Sequence, residues 1–161
     1  MDIIQKMLNI EETNYSSGLN TEGLKNRIED LYHQNAMRVA GRLTSENEFT
    51  IYDKWIIVGW SMPNLNRKAA YIYGKITEGE EGTLVNLKVT PNALLPIFSI
   101  LSMLMGVVIT LRALLNTEDD KFFLTLGVAL IVIGMLYYPI GTLLKNRLLK
   151  RVVRSLDLKK V

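Results

Sequence analysis

Residues 122–144 read FFLTLGVALIVIGMLYYPIGTLL, 23 positions without a charge. About 20 apolar residues cross the hydrocarbon core of a bilayer as an α-helix. The segment before it, Ala93–Leu115, ALLPIFSILSMLMGVVITLRALL, is also 23 residues long and free of charge until Arg112. Neither stretch carries the polar face that a helix at the surface of a soluble domain would show. Both are therefore predicted to be transmembrane helices. Only NTEDDK, residues 116–121, joins them, so they run antiparallel as a hairpin.

Small residues recur inside both spans. Gly127, Gly134 and Gly141 are seven apart on the second, and Ser99, Gly106 and Ala113 are seven apart on the first. In lipid no hydrophobic force drives helices together, so association rests on close backbone approach, which small side chains permit. A seven-residue period suits left-handed packing at about +20°. These six positions are the expected helix-packing residues, meeting either each other or a second copy of the chain.

The charge distribution orients the hairpin. Residues 92–161 carry nine Lys/Arg against four Asp/Glu, whereas residues 1–91 carry ten against twelve. After the second span, KNRLLKRVVRSLDLKKV holds seven basic residues and one acid, while the connecting loop holds Glu118, Asp119 and Asp120 against Lys121. The positive-inside rule places the tail, and hence the N-terminal part too, in the cytoplasm. Near the end of the first span, Arg112 reads as an anchor reaching the outer headgroups. Pro139 reads as a tolerated kink.

The basic tail, 145–161, is expected to form an amphipathic helix. Leu148, Leu149, Val152, Val153 and Leu156 fall on one arc, and Arg147, Lys150, Arg151 and Arg154 on another. Such a helix suits an anionic lipid surface or a protein partner.

Residues 1–91 read as a helix and a small sheet. In NTEGLKNRIEDLYHQN, Leu24, Ile28, Leu31 and Tyr32 recur at helical spacing, and Ile3, Ile4, Met7 and Leu8 hint at a shorter helix. TNYSSGLN, between them, reads as a loop. After Ala36 the period becomes two: Met37–Leu43, EFTIY, KWIIVGW, AAYIYGKI and TLVNLKV predict a five-stranded antiparallel meander. Thr83, Val85, Leu87 and Val89 define its buried face, with the helix from residue 21 as cover. The fold class is thus α+β: a cytoplasmic sheet domain over 1–91, a transmembrane hairpin over 92–144 and the basic tail.

Motifs that carry chemistry are sparse. With no cysteine, thiol catalysis, disulfides and cysteine metal sites are excluded. His33 stands alone on a helix, without the partners that a metal or general-base role requires. Glu78, Glu80 and Glu81 belong to a turn. No phosphate loop or dinucleotide fingerprint is present, so no cofactor is expected. The clustered basic residues lie beside a span and do not point to nucleic acid. Trp55, Trp60, Tyr71 and Tyr73 read as core and sheet-surface packing residues.

VAGRL at 39–43, EFTIY at 48–52, YGKI at 73–76 and GTLVNL at 82–87 together resemble a group of small bacterial membrane proteins in which a compact sheet domain precedes two spans. The resemblance covers Met37 to Leu101 and implies a fold and a location, with no activity attached. Members of that group have an Arg-Asn-Ser-Phe-like stretch where this chain has WSMPNLNRKAA. The expected function is a non-enzymatic inner-membrane protein whose sheet domain assembles with itself or serves a larger complex. Alternatives are an immunity-type protein against a membrane-active toxin, or an oligomeric channel or transporter subunit.

Overall fold

The computed structural model describes residues 3–33, 39–54, 68–79, 82–115 and 121–161. The chain is α+β and divides into two compact units: one is Met1–Asn92 together with Leu144–Val161, the other Ala93–Leu143.

In the first unit, helix α1 (Ile3–Met7) leads into strand β1 (Glu11–Ser17), then helix α2 (Thr21–His33). Asn20 caps α2, its Oδ1 accepting the Gly23 amide at 2.9 Å. An asparagine oxygen there satisfies one of the donors that a helix start leaves open. Leu24, Ile28 and Leu31 form the buried stripe.

Strands β2 (Val39–Ser45), β3 (Glu48–Asp53), β4 (Ala70–Gly79) and β5 (Gly82–Pro91) follow, and β6 (Lys159–Lys160) closes the chain. The order is β2-β3-β4-β5-β1-β6, antiparallel at every pairing. The β4–β5 hairpin runs from Ala70↔Pro91 to Gly79↔Gly82. On β5, Thr83, Val85, Leu87 and Val89 are buried, while Leu84 is exposed and Asn86 and Lys88 are half-buried. Alternation of period two leaves one face for the core and one for water.

This sheet differs from the expected meander by two added strands, β1 and β6. TNYSSGLN, read as a loop, supplies most of β1, which pairs along its length with β5 from Glu11↔Val89 to Ser17↔Thr83. Its alternation is carried by Tyr15 and Ser17 inward and by Glu12 and Asn14 outward. Serine and asparagine there satisfy turn chemistry as well as strand chemistry, and pairing with β5 decides between them. KWIIVGW, expected as a strand, lies outside the described residues apart from Lys54. The chain's end adds β6 through Tyr15↔Lys160 and Ser16↔Lys159.

The larger correction concerns the tail. Helix α4 runs unbroken from Lys121 to Ser155, so no separate C-terminal helix exists. The arc expected to meet lipid or a partner instead enters the core of the sheet unit. Leu148, Val152 and Leu156 are buried with Leu24, Ile28, Phe49, Ile51, Ile72, Val85 and Leu87, and Leu149 and Val153 pack against them. Each fully buried leucine or valine contributes about 1.5–3 kcal/mol relative to exposure. An apolar arc is covered by the nearest apolar surface, which here belongs to the chain itself.

Two helix ends use the same device. Asn9 and Asp157 adopt φ of 55° and 51°, and the residues after them donate back, Ile10 to Gln5 and Leu158 to Val153, at 2.9 and 3.0 Å. This is the Schellman closure, which short polar residues tolerate in the left-handed region. It turns the chain from α1 into β1 and from α4 into β6.

The second unit holds helix α3 (Leu94–Leu115) and the span of α4. Both helices are long and apolar enough to cross a membrane.

Candidate functional site

Within the second unit, burial falls on a repeating set of positions. On the described span of α4 only Gly127, Gly134 and Gly141 are buried. On α3, beyond Leu95 and Pro96 at its start, Ser99 and Gly106 are buried.

The contacts between the two helices join these positions in antiparallel order. The Ser99 hydroxyl donates to the Gly134 carbonyl at 2.6 Å and Ser102 donates to the Leu130 carbonyl at 2.9 Å. A methyl added at Gly106 would stand 2.7 Å from the Gly127 carbonyl oxygen, and one at Gly127 would stand 2.8 Å from the Thr110 amide nitrogen. Such distances leave no room for a side chain at either position. Ala113 is half-buried, outside this closest packing, and Gly141 is buried.

Four hydroxyls of the spans donate to backbone carbonyls within the hairpin. Besides the two serines, Thr125 donates to Lys121 and Thr142 to Tyr138, each back along its own helix. Thr110 turns its buried hydroxyl, without a hydrogen-bond partner, toward Gly127.

Beyond the span, α4 separates its cations by role. Arg147, Lys150 and Arg154 are exposed, as on a solvent-facing arc. Arg151 is half-buried and lies 3.7 Å from the Asp53 carboxylate. Lys145 is buried on the apolar side, its Nζ 3.0 Å from Glu11 Oε2 and donating to the Asn9 carbonyl and side-chain oxygens at 3.2 and 2.9 Å. A desolvated ammonium is tolerable only with such partners. Sequence reasoning grouped Lys145 with the tail and missed this role. The available signal was its spacing, because Gly141, Lys145, Leu148, Val152 and Leu156 recur every three or four residues. Arg27 Nε donates to the Ser155 carbonyl at 3.1 Å, satisfying a carbonyl at the helix end.

Two tyrosines of the sheet unit are electrostatically distinct. Burial raises the Tyr32 hydroxyl above its ordinary pKa, and Glu29 and Tyr52 add to the effect. Its oxygen is buried without a hydrogen-bond partner. Tyr15 is raised by burial first and by Glu11 second. His33 is exposed in the last turn of α2. Among the described residues, no three histidine or acidic side chains converge as a metal set. No family model, curated protein or solved structure matches the chain.

Proposed function

We propose that the protein is a non-enzymatic component of the bacterial inner membrane, anchored by the α3–α4 hairpin and presenting its sheet unit in the cytoplasm for assembly, with itself or within a larger membrane complex. One observation carries the membrane part. The most apolar windows of α3 and α4 are only 22% and 11% buried. A core helix of a soluble protein hides its apolar surface, whereas these helices hide little beyond a narrow line and leave Leu104, Val108, Leu115, Phe122 and Leu143 exposed. Lipid is the solvent that such a surface requires.

The pairing of β1 with β6 supports the topology. It brings residues 15 and 160 together in one unit, so the chain that leaves through α3 returns through α4 to the same side. The basic residues after the span favour the cytoplasm for that side.

Assembly is supported by two features of the surface. Because Ser99, Gly106, Gly127 and Gly134 are used between the chain's own helices, contacts with other proteins fall to the outer sides of the hairpin or to the sheet unit. The hydroxyls of Ser99, Ser102, Thr125 and Thr142 already donate to backbone carbonyls and that of Thr110 is buried against Gly127, which disfavours a pore lined by them. Chemical crosslinking in native membranes, followed by mass spectrometry of what stays attached to a tagged copy, tests the proposal. A recurring self-link or a recurring foreign membrane protein is expected; a chain recovered only as a monomer contradicts it.

A further inference from the structure

The chain passes between its two units at Asn92, before α3, and at Leu144, where α4 leaves the apolar run 122–144. As a helix the 23 residues of that run rise about 35 Å, against a hydrocarbon core of about 30 Å. Lys145, the next residue, therefore stands in the headgroup layer, which adds about 5–8 Å on each side of the core. Its Nζ pairs with Glu11 and donates to the Asn9 carbonyl and side-chain oxygens, so Asn9, which closes α1, lies one lysine side chain away. The sheet gives the same level by a separate route. Carrying the β1–β5 register two steps past Glu11↔Val89 sets Asn9 level with Pro91, three residues before α3 begins at Leu94.

At this level α1 presents an apolar side chain. Met7 is 48% exposed, and Leu8 and Ile10 are half-buried. Elsewhere among the described residues of the sheet unit, the exposed large apolar side chains are Tyr73, Leu84 and Val161. All three lie farther from the crossings: Tyr73 is opposite Lys88, the Val161 amide donates to Asn14 opposite Asn86, and Leu84 is itself on β5. Counted along β5, these levels are four, six and eight residues short of Asn92, or about 13, 20 and 26 Å. Beside Asn92, its Nδ2 donates to the Lys68 carbonyl at 3.0 Å and the Lys68 amide donates to the Tyr71 hydroxyl at 3.1 Å. The Lys68 ammonium lies 5.7 Å from the centre of the Tyr52 ring. Tyrosine and lysine, each with an apolar body and a polar tip, suit the layer where water gives way to lipid.

We propose that this end of the sheet unit seats in the headgroup layer of the bilayer, α1 turning Met7 toward the acyl chains and Lys68, Tyr52 and Tyr71 lying at the surface beside Asn92. Such seating depends on the membrane reading above and adds a third lipid contact to the two spans. A helix of five residues is too short to order itself on lipid. Here the bonds from Lys145 to Asn9 and Glu11 fix it beside the span, so it is ordered by the fold before it meets the bilayer.

The test places single cysteines in the otherwise cysteine-free full chain, spin-labelled and reconstituted in vesicles of phosphatidylcholine and phosphatidylglycerol. Electron paramagnetic resonance then compares collisions with oxygen, which concentrates in lipid, and with a water-soluble nickel chelate. Leu84→Cys, at a position 43% exposed and so matched to Met7, is the aqueous reference, and Val108→Cys, at a position 65% exposed, is the lipid reference. The oxygen-to-nickel ratio at Met7→Cys is expected about threefold or more above that at Leu84→Cys and below that at Val108→Cys, as for a side chain about 5–10 Å into the boundary. Should Met7→Cys fail to fold by circular dichroism, Lys68→Cys supplies the reading, with a ratio again above that of Leu84→Cys. A Met7 ratio equal to that of Leu84, with Val108 lipid-like, overturns the seating and leaves the hairpin intact. Few collisions with either reagent at Met7 overturn it as well, since protein rather than lipid then covers α1. A Val108 ratio as low as that of Leu84 removes the membrane reading itself, and the seating with it.

Discussion

Ser99 donates its hydroxyl to the main-chain carbonyl of Gly134 at 2.6 Å, one helix to the other. The glycine matters as much as the serine, because a methyl at position 134 would meet the Ser99 carbonyl oxygen at 2.8 Å. Hydrogen bond and close approach therefore depend on the same pair of small residues. Ser99→Ala is expected to cost about 0.6 kcal/mol, the average for such bonds between membrane helices, read as a lower denaturation midpoint in micelles.

Enlarging the seam costs more than removing that bond. At Gly127 an added carbon meets the Thr110 hydroxyl and backbone, and backbone cannot swing aside as a side chain does. Gly127→Val and Gly106→Val are each expected to destabilise the hairpin by about 1–3 kcal/mol. Gly18→Ala, where nothing lies within 4 Å of the added carbon, serves as the control and shifts thermal unfolding little.

The buried ammonium of Lys145 depends on Asn9 and Glu11. Glu11→Ala leaves it with Asn9 alone in a site where only 5% of its side chain is exposed. Because the Glu11 side chain is itself 41% exposed, the loss is expected at about 1–2 kcal/mol, below that of a fully buried pair. Chemical denaturation of the wild type and variant gives the difference.

These cases mark what was legible in the residues themselves. The spans and their seam are local signals: apolar length and a small residue every seventh position are properties of a single segment. The destination of the Leu148–Val152–Leu156 arc is not local, because lipid, a partner and the chain's own sheet satisfy an apolar arc equally well. Lys145 was hidden for the same reason, its partners lying more than a hundred positions away. The strand at Glu11–Ser17 was obscured by its serines and asparagine, which suit turns until β5 supplies a ladder.

Tyr32 makes the sheet unit sensitive to alkali. Its folded pKa lies above the unfolded value of about 10, so its contribution is fully present below pH 10. That contribution is lost as pH rises from there toward the folded pKa. Tyr32→Phe removes this loss and also removes a buried hydroxyl without a partner. Its stability at neutral pH is expected to equal or exceed that of the wild type, with a flatter profile above pH 10 in denaturant titrations at stepped pH.

The two-span hairpin is tested most directly by labelling single cysteines in intact cells, since the chain has none of its own. Leu115, Val108 and Val161 are all exposed, at 82%, 65% and 74%, so burial inside the protein does not protect them. With a membrane-impermeant maleimide, Leu115→Cys is expected to label from outside the cell, Val161→Cys only after the cytoplasmic side is opened, and Val108→Cys only after detergent dissolves the bilayer. Labelling of Val108→Cys in undissolved membranes, or of Leu115→Cys and Val161→Cys from the same side, would contradict the membrane hairpin.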